Sequence, residues 1–109
     1  VQVEGGVVQG IGMALYEDVR YSASGKLETD TFMTYKIPTR QDMGTLHTEF
    51  VESYEPTSAY GVKSIGEVVI NTACPSIQHA IKNAVGADVR TLPMTPEKVF
   101  MGMDEKYKV

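Results

Sequence analysis

One cysteine, Cys74, stands in the whole chain, so no internal disulfide can form and the usage fits a reducing, cytoplasmic compartment. Histidine occurs only at His47 and His79, too far apart to build a zinc site with that cysteine. Basic residues are few, 10 Lys and Arg against 14 Asp and Glu for a net charge of −4, and they are scattered. Binding nucleic acid through its phosphates needs a concentrated basic face, so that class of partner is excluded. No apolar run approaches the roughly 18 residues of a membrane span, and no charged stretch precedes an apolar one as in a secretory signal. Internal repeats and low-complexity tracts are missing too.

What remains is a globular composition. The chain has 109 residues, 42% of them hydrophobic, enough for one domain and no more. It is organised around Gly61-Val62-Lys63-Ser64-Ile65-Gly66-Glu67. Two glycines bracket a lysine, one carboxylate follows the second glycine, and Val68-Val69-Ile70 comes next. Glycine lets a backbone approach a ligand closely, and a carboxylate held where a loop enters a buried region suits a general base. An ordinary turn carrying a solvated glutamate has the same spacing.

Residues 1–21 place Val3, Val7, Val8, Ile11, Ala14 and Leu15 on one helical face. Gly5, Gly6, Gly10 and Gly12 stand against this, each costing about 1 kcal/mol relative to alanine inside a helix. Gly6 and Gly10 share a side, where a second backbone or a ligand can come close. Gln2 sits at the helix start, beside unpaired N–H groups that suit a polar ligand, or it merely caps the helix. Residues 22–26 are turn-forming. Residues 27–35 form a strand or an extended connection ended at Pro38, and residues 41–44 turn again. Residues 46–54 alternate well enough to predict a strand, with His47 on its surface. A second helix runs from Pro75 to Val85 with Ile77, Ala80, Ile81, Ala84 and Val85 in one stripe and Gly86 as cap. Cys74 reads as a small buried residue or as a thiol at the helix start. Residues 87–90 suggest a short strand. Thr95, Pro96 and Glu97 open a short terminal helix, and the charged tail after it is expected to fray. The fold class expected is α+β: two longer helices, a short terminal helix and a few strands.

Four ordered stretches then resemble one family. They are the glycine-rich run Gln2-Val3-Glu4-Gly5-Gly6-Val7-Val8-Gln9-Gly10-Ile11-Gly12, Tyr35-Lys36-Ile37-Pro38-Thr39, Lys63-Ser64-Ile65-Gly66-Glu67, and Leu92-Pro93-Met94-Thr95-Pro96-Glu97-Lys98. Together they are similar to the C-terminal part of the molybdopterin-binding subunit of the xanthine dehydrogenases and aldehyde oxidases. The resemblance implies that residues 1–109 are a C-terminal fragment of the molybdenum cofactor-binding domain. A chain starting just inside the glycine-rich motif reads as a piece of a longer subunit, inactive alone.

The same resemblance implies that Glu67 is the catalytic base, taking a proton from a water-derived nucleophile that adds to an electrophilic carbon. It implies that Gln2 contacts the pterin and that Lys63, Ile65 and Gly66 line it. The cofactor is molybdopterin with molybdenum, in bacterial members mostly the cytosine dinucleotide form. The metal is held by the pterin, so no metal-ligand cluster of the protein is expected. Iron–sulfur clusters and flavin (FAD) on partner domains or subunits, an oligomer, and a small-molecule substrate (a purine, another N-heterocycle or an aldehyde) complete the implication. The residues taken alone also fit a small non-catalytic α+β module, whose glycine-rich start packs a partner helix or binds phosphate.

Overall fold

The glycine-rich run folds as helix α1, Gln2–Leu15, in a computed structural model that describes residues 1–108. The helix stops before Tyr21, the limit its apolar periodicity suggested: the N–H groups of Tyr16 and Glu17 both donate to Gly12 O at 2.9 Å, which closes the last turn. Helix α2 spans Ala73–Val85 and helix α3 spans Pro96–Gly102. Thr95 caps α3 as expected, its hydroxyl accepting from Lys98 N at 3.3 Å, with Pro96 in the first turn where its missing N–H costs nothing.

A small core lies where the helices meet. Ala14 of α1, Ala87, Val89 and Met94 are buried, and Ile77, Ile81 and Val85 of α2 with Val99 of α3 pack against them. Met94 N donates to Ala14 O at 2.6 Å, which fastens the segment before α3 to the end of α1. Around this core α1 lies along α2 and along a 3-10 turn, Glu67–Ile70.

Gly86 ends α2 with φ 76°, and its N–H donates to Lys82 O at 2.9 Å. A Cβ there would run into the carboxylate of Asp104, whose own N–H donates to Val85 O. Left-handed backbone costs a residue with a Cβ about 1–2 kcal/mol. Gly86→Ala is therefore expected to destabilise the full-length protein by at least that much, measured as a lowered urea midpoint.

The strands do not form, and the α+β expectation is corrected to three helices joined by extended and turning segments. Among the described residues the only β-type pairing is an isolated antiparallel bridge between Tyr21 and Leu27, across the predicted turn at residues 22–26. Residues 46–54 are extended but make no backbone hydrogen bond with any described residue. Residues 87–90 run between α2 and α3 without a partner strand. A strand is stable only when its N–H and C=O groups find a second strand, and these 108 residues offer none. The tail forms a 3-10 turn at Glu105–Tyr107.

The chain is correspondingly open. Its accessible surface is 8462 Å² against the roughly 6,000 Å² of a compact monomer of this mass. Its radius of gyration is 17.6 Å, where a compact chain of this length would have about 13 Å. Phe50, Val51, Tyr54 and Tyr60 stand at 71–96% exposure along the extended limb.

Candidate functional site

Glu67 opens the Glu67–Ile70 turn, and α1 is the surface that turn sits on. Val69 and Ile70 are half-buried against α1, whereas Val68 faces outward. The contact is close because α1 carries glycine where they touch. A Cβ on Gly6 would overlap Val69 Cγ2, and one on Gly10 would lie 2.5 Å from Ala73 Cβ and 3.2 Å from Ile70 O. The apolar run after Glu67 thus grips the helix that begins with Gln2, although 65 positions separate the two motifs in the numbering.

The result is a groove of about 320 Å³ with Gln2, Gln9 and Glu67 around it and Gly5, Gly6 and Gly66 on its walls. Hydrogen-bond partners for the Gln2, Gln9 and Glu67 side chains are lacking among the described residues, so all three keep their capacity for a ligand. Nothing lies within 4 Å of a Cβ placed on Gly5 or on Gly66. A side chain at either position would project into the open space instead. The N–H groups of the first turn of α1 end at the same place, without intrahelical acceptors.

Glu67 is exposed in this chain, not buried as a desolvated base would be. The groove between α1 and the Glu67 turn is open to solvent along its length.

The four expected cofactor contacts divide. Gln2 and Gly66 share the groove with Glu67. Lys63 and Ile65 line a different hollow of about 690 Å³, with Phe50, Tyr54, Tyr60 and Val68. Both are exposed there, beside Val3 of α1, and Gly61 at the start of the loop takes φ 69° against the Tyr54 ring.

Gln9 and Gly5, which lie in the glycine-rich run but carry no expected site role, also belong to the groove. The signal was present: Gln2, Gly5, Gly6 and Gln9 recur at the spacing of one helical face. The Tyr35-to-Thr39 motif stays outside the groove and braces the far end of α1. Tyr35 Oη donates to the Glu17 carboxylate, which holds the Tyr35 phenol above its usual pKa. Pro38 packs over Gly12, 3.0 Å from where a Cβ would sit. Cys74 is half-buried, its thiol donating to Gly10 O at 3.7 Å, a packing role and not a nucleophile's.

Comparison with known proteins gives the same picture. Residues 1–44 match the molybdopterin cofactor-binding domain, a range that holds Gln2 and Gln9 and stops short of Glu67. The chain is 43% identical over 100 residues to the xanthine dehydrogenase molybdenum-binding subunit of Escherichia coli O157:H7, covering 91% of this chain and 13% of that one. It is 36% identical to human aldehyde oxidase, over 97% of this chain and 9% of the oxidase. The crystal structure of quinoline 2-oxidoreductase from Pseudomonas putida 86 superposes with a TM-score of 0.83 at 33% identity, over 95% of this chain and 14% of that one. The chain thus spans about a seventh or less of the length of these relatives. By sequence over nine-tenths of its residues, and by fold, it belongs to the molybdopterin-binding part of the xanthine dehydrogenase and aldehyde oxidase family.

Proposed function

We propose that this chain is the C-terminal segment of the cofactor-binding domain of a molybdenum hydroxylase, and that Glu67 is the enzyme's general base. The observation that carries the reading is the shared groove: Gln2 at the head of α1 and Glu67 on the turn packed against that helix face one open space.

The residues around it fit molybdopterin. Gln2 and Gln9 offer unengaged carboxamides, each able to donate and accept along the polar edge of a planar heterocycle. Gly5 and Gly66 leave room for such a ring system to lie close to backbone. When bound, the molybdenum cofactor supplies the redox centre for hydroxylation of carbon with oxygen from water. The protein's own part is orientation and proton handling. The Glu67 carboxylate accepts a proton from the water-derived nucleophile and releases it to solvent after the carbon–oxygen bond has formed. Lys63 and Ile65 belong to the loop that delivers Glu67, and in the full protein we assign them to the pterin side of that loop.

The substrate class follows from the relatives' names, a purine, an aldehyde or an N-heterocycle such as quinoline. The wider reading includes the cytosine dinucleotide form of the cofactor, partner domains or subunits carrying iron–sulfur clusters and FAD, an oligomeric assembly, and a cytoplasmic location in keeping with the single cysteine. No helix among the described residues is long and apolar enough to cross a membrane.

The direct test is to purify the full-length polypeptide that contains these residues and measure its molybdenum by mass spectrometry and its pterin by fluorescence after oxidation. Stoichiometric molybdenum and pterin are expected. A polypeptide that carries neither ends the reading.

A further inference from the structure

We infer that Gly10 is a positioning residue for Glu67: its lack of a side chain sets the distance at which the Glu67 turn and the start of α2 seat on α1. The inference rests on the assignment of Glu67 as base and adds the element that places it.

A Cβ on Gly10 would stand 2.5 Å from Ala73 Cβ, 3.2 Å from Ile70 O and 3.6 Å from Ile70 Cα. Carbon atoms in contact settle at about 3.5–4.0 Å, so a methyl group here demands a shift of about 1 Å. None of the atoms it meets can rotate aside. Ile70 O and Ile70 Cα are main chain, and Ala73 Cβ is fixed to the first residue of α2. Cys74, next along, ties its thiol to Gly10 O, so the same spot is tethered as well as crowded.

The displacement has to reach Glu67 because nothing between them is slack. Glu67–Ile70 is a single 3-10 turn, closed by Asn71 N donating to Val68 O at 3.3 Å, and α2 begins at Ala73. Pushing Ile70 and Ala73 off α1 carries the whole turn with them. Gly6 is a weaker version of the same contact. A Cβ there meets Val69 Cγ2, the end of a side chain able to change rotamer, and only then Val69 Cβ at 3.3 Å. Gly10 therefore controls the seat and Gly6 tunes it.

A catalytic group misplaced by about 1 Å can cost on the order of 10²-fold in rate. The experiment uses the full-length holoenzyme in four forms: Gly10→Ala, Ala73→Gly, the double variant, and Glu67→Gln. Molybdenum content, kcat, KM, the pH profile of kcat and amide hydrogen exchange over residues 67–70 are measured in each. Gly10→Ala should lower kcat by about 10- to 100-fold at unchanged molybdenum, with KM within about threefold. It should also shift the pH profile and speed exchange in the turn. The double variant moves the methyl group from one side of the contact to the other, and should restore kcat to within about threefold and exchange to the parental rate.

Parental kcat and exchange in Gly10→Ala overturn the inference, as does a loss that Ala73→Gly fails to repair. Loss of molybdenum from Gly10→Ala also overturns it, since the glycine would then serve assembly. The base assignment is judged separately. A dead Glu67→Gln enzyme beside an unaffected Gly10→Ala enzyme leaves the base standing and removes the positioning role, and an active Glu67→Gln enzyme removes the base itself.

Discussion

Glu67→Gln in the full-length enzyme is expected to lower kcat by about 10²- to 10⁴-fold, the range that general base catalysis contributes, while molybdenum and pterin contents stay at the parental level. Glutamine keeps the length and shape of the side chain but loses its charge and its basicity, one acceptor oxygen becoming an N–H donor. Metal retention follows from the geometry. Glu67 occupies one wall of the groove, and the carboxamides and glycines that would face the pterin come from α1 and Gly66. KM should change little, because an interaction made only as the proton moves appears in kcat. Rapid-quench turnover and metal analysis on the same sample decide it. An enzyme that keeps more than about a tenth of parental kcat after this change does not use Glu67 as its base. The competing picture, a non-catalytic module with a glycine-rich packing face, would then gain the ground.

Much of what positions Glu67 was legible in one dimension. The three helices follow from local patterns: apolar residues at helical spacing in α1 and α2, Thr95 and Pro96 opening α3, Gly86 closing α2. The glycine pair at Gly6 and Gly10 was visible as a place of close approach, but its partner was not. Ala73 and Ile70 lie about 60 positions downstream, and no local period links two such stretches. Gln9 stayed hidden for a different reason, since motif matching draws attention to the first amide of the run and only the helical wheel adds the second. The strands failed because their patterns describe half of a pair. Residues 46–54 alternate, though imperfectly, and adopt extended backbone, yet hydrogen-bond partners are a property of what lies alongside, which the segment's own pattern does not supply. The exposure of Glu67 has the same origin: local structure delivers the carboxylate, and burial of the kind a base needs depends on what packs over it, which local pattern does not encode.

That dependence on neighbours gives the other large expected effect. The 109-residue chain purified alone should carry no molybdenum, show no turnover, and be cut rapidly by chymotrypsin after Phe50, Tyr54 and Tyr60. Surface near 8462 Å² where a compact chain shows about 6,000 Å² leaves little burial to offset the entropy of ordering the backbone, roughly 1–2 kcal/mol per residue. The buried core amounts to four small or medium side chains, Ala14, Ala87, Val89 and Met94. Residues 45–54 hold no backbone hydrogen bond among the described residues, and a protease must draw its substrate into just such an unpaired, extended form. In the full-length protein the same bonds are expected to resist, the outcome that pairing of residues 46–54 with another strand and cover over Phe50 and Tyr54 would produce. Limited proteolysis of the two proteins side by side, read by mass spectrometry, tests this. Equal resistance in both would mean that the open limb finds its partners within these 109 residues, and the groove beside Glu67 would then close without help from any other part of the subunit.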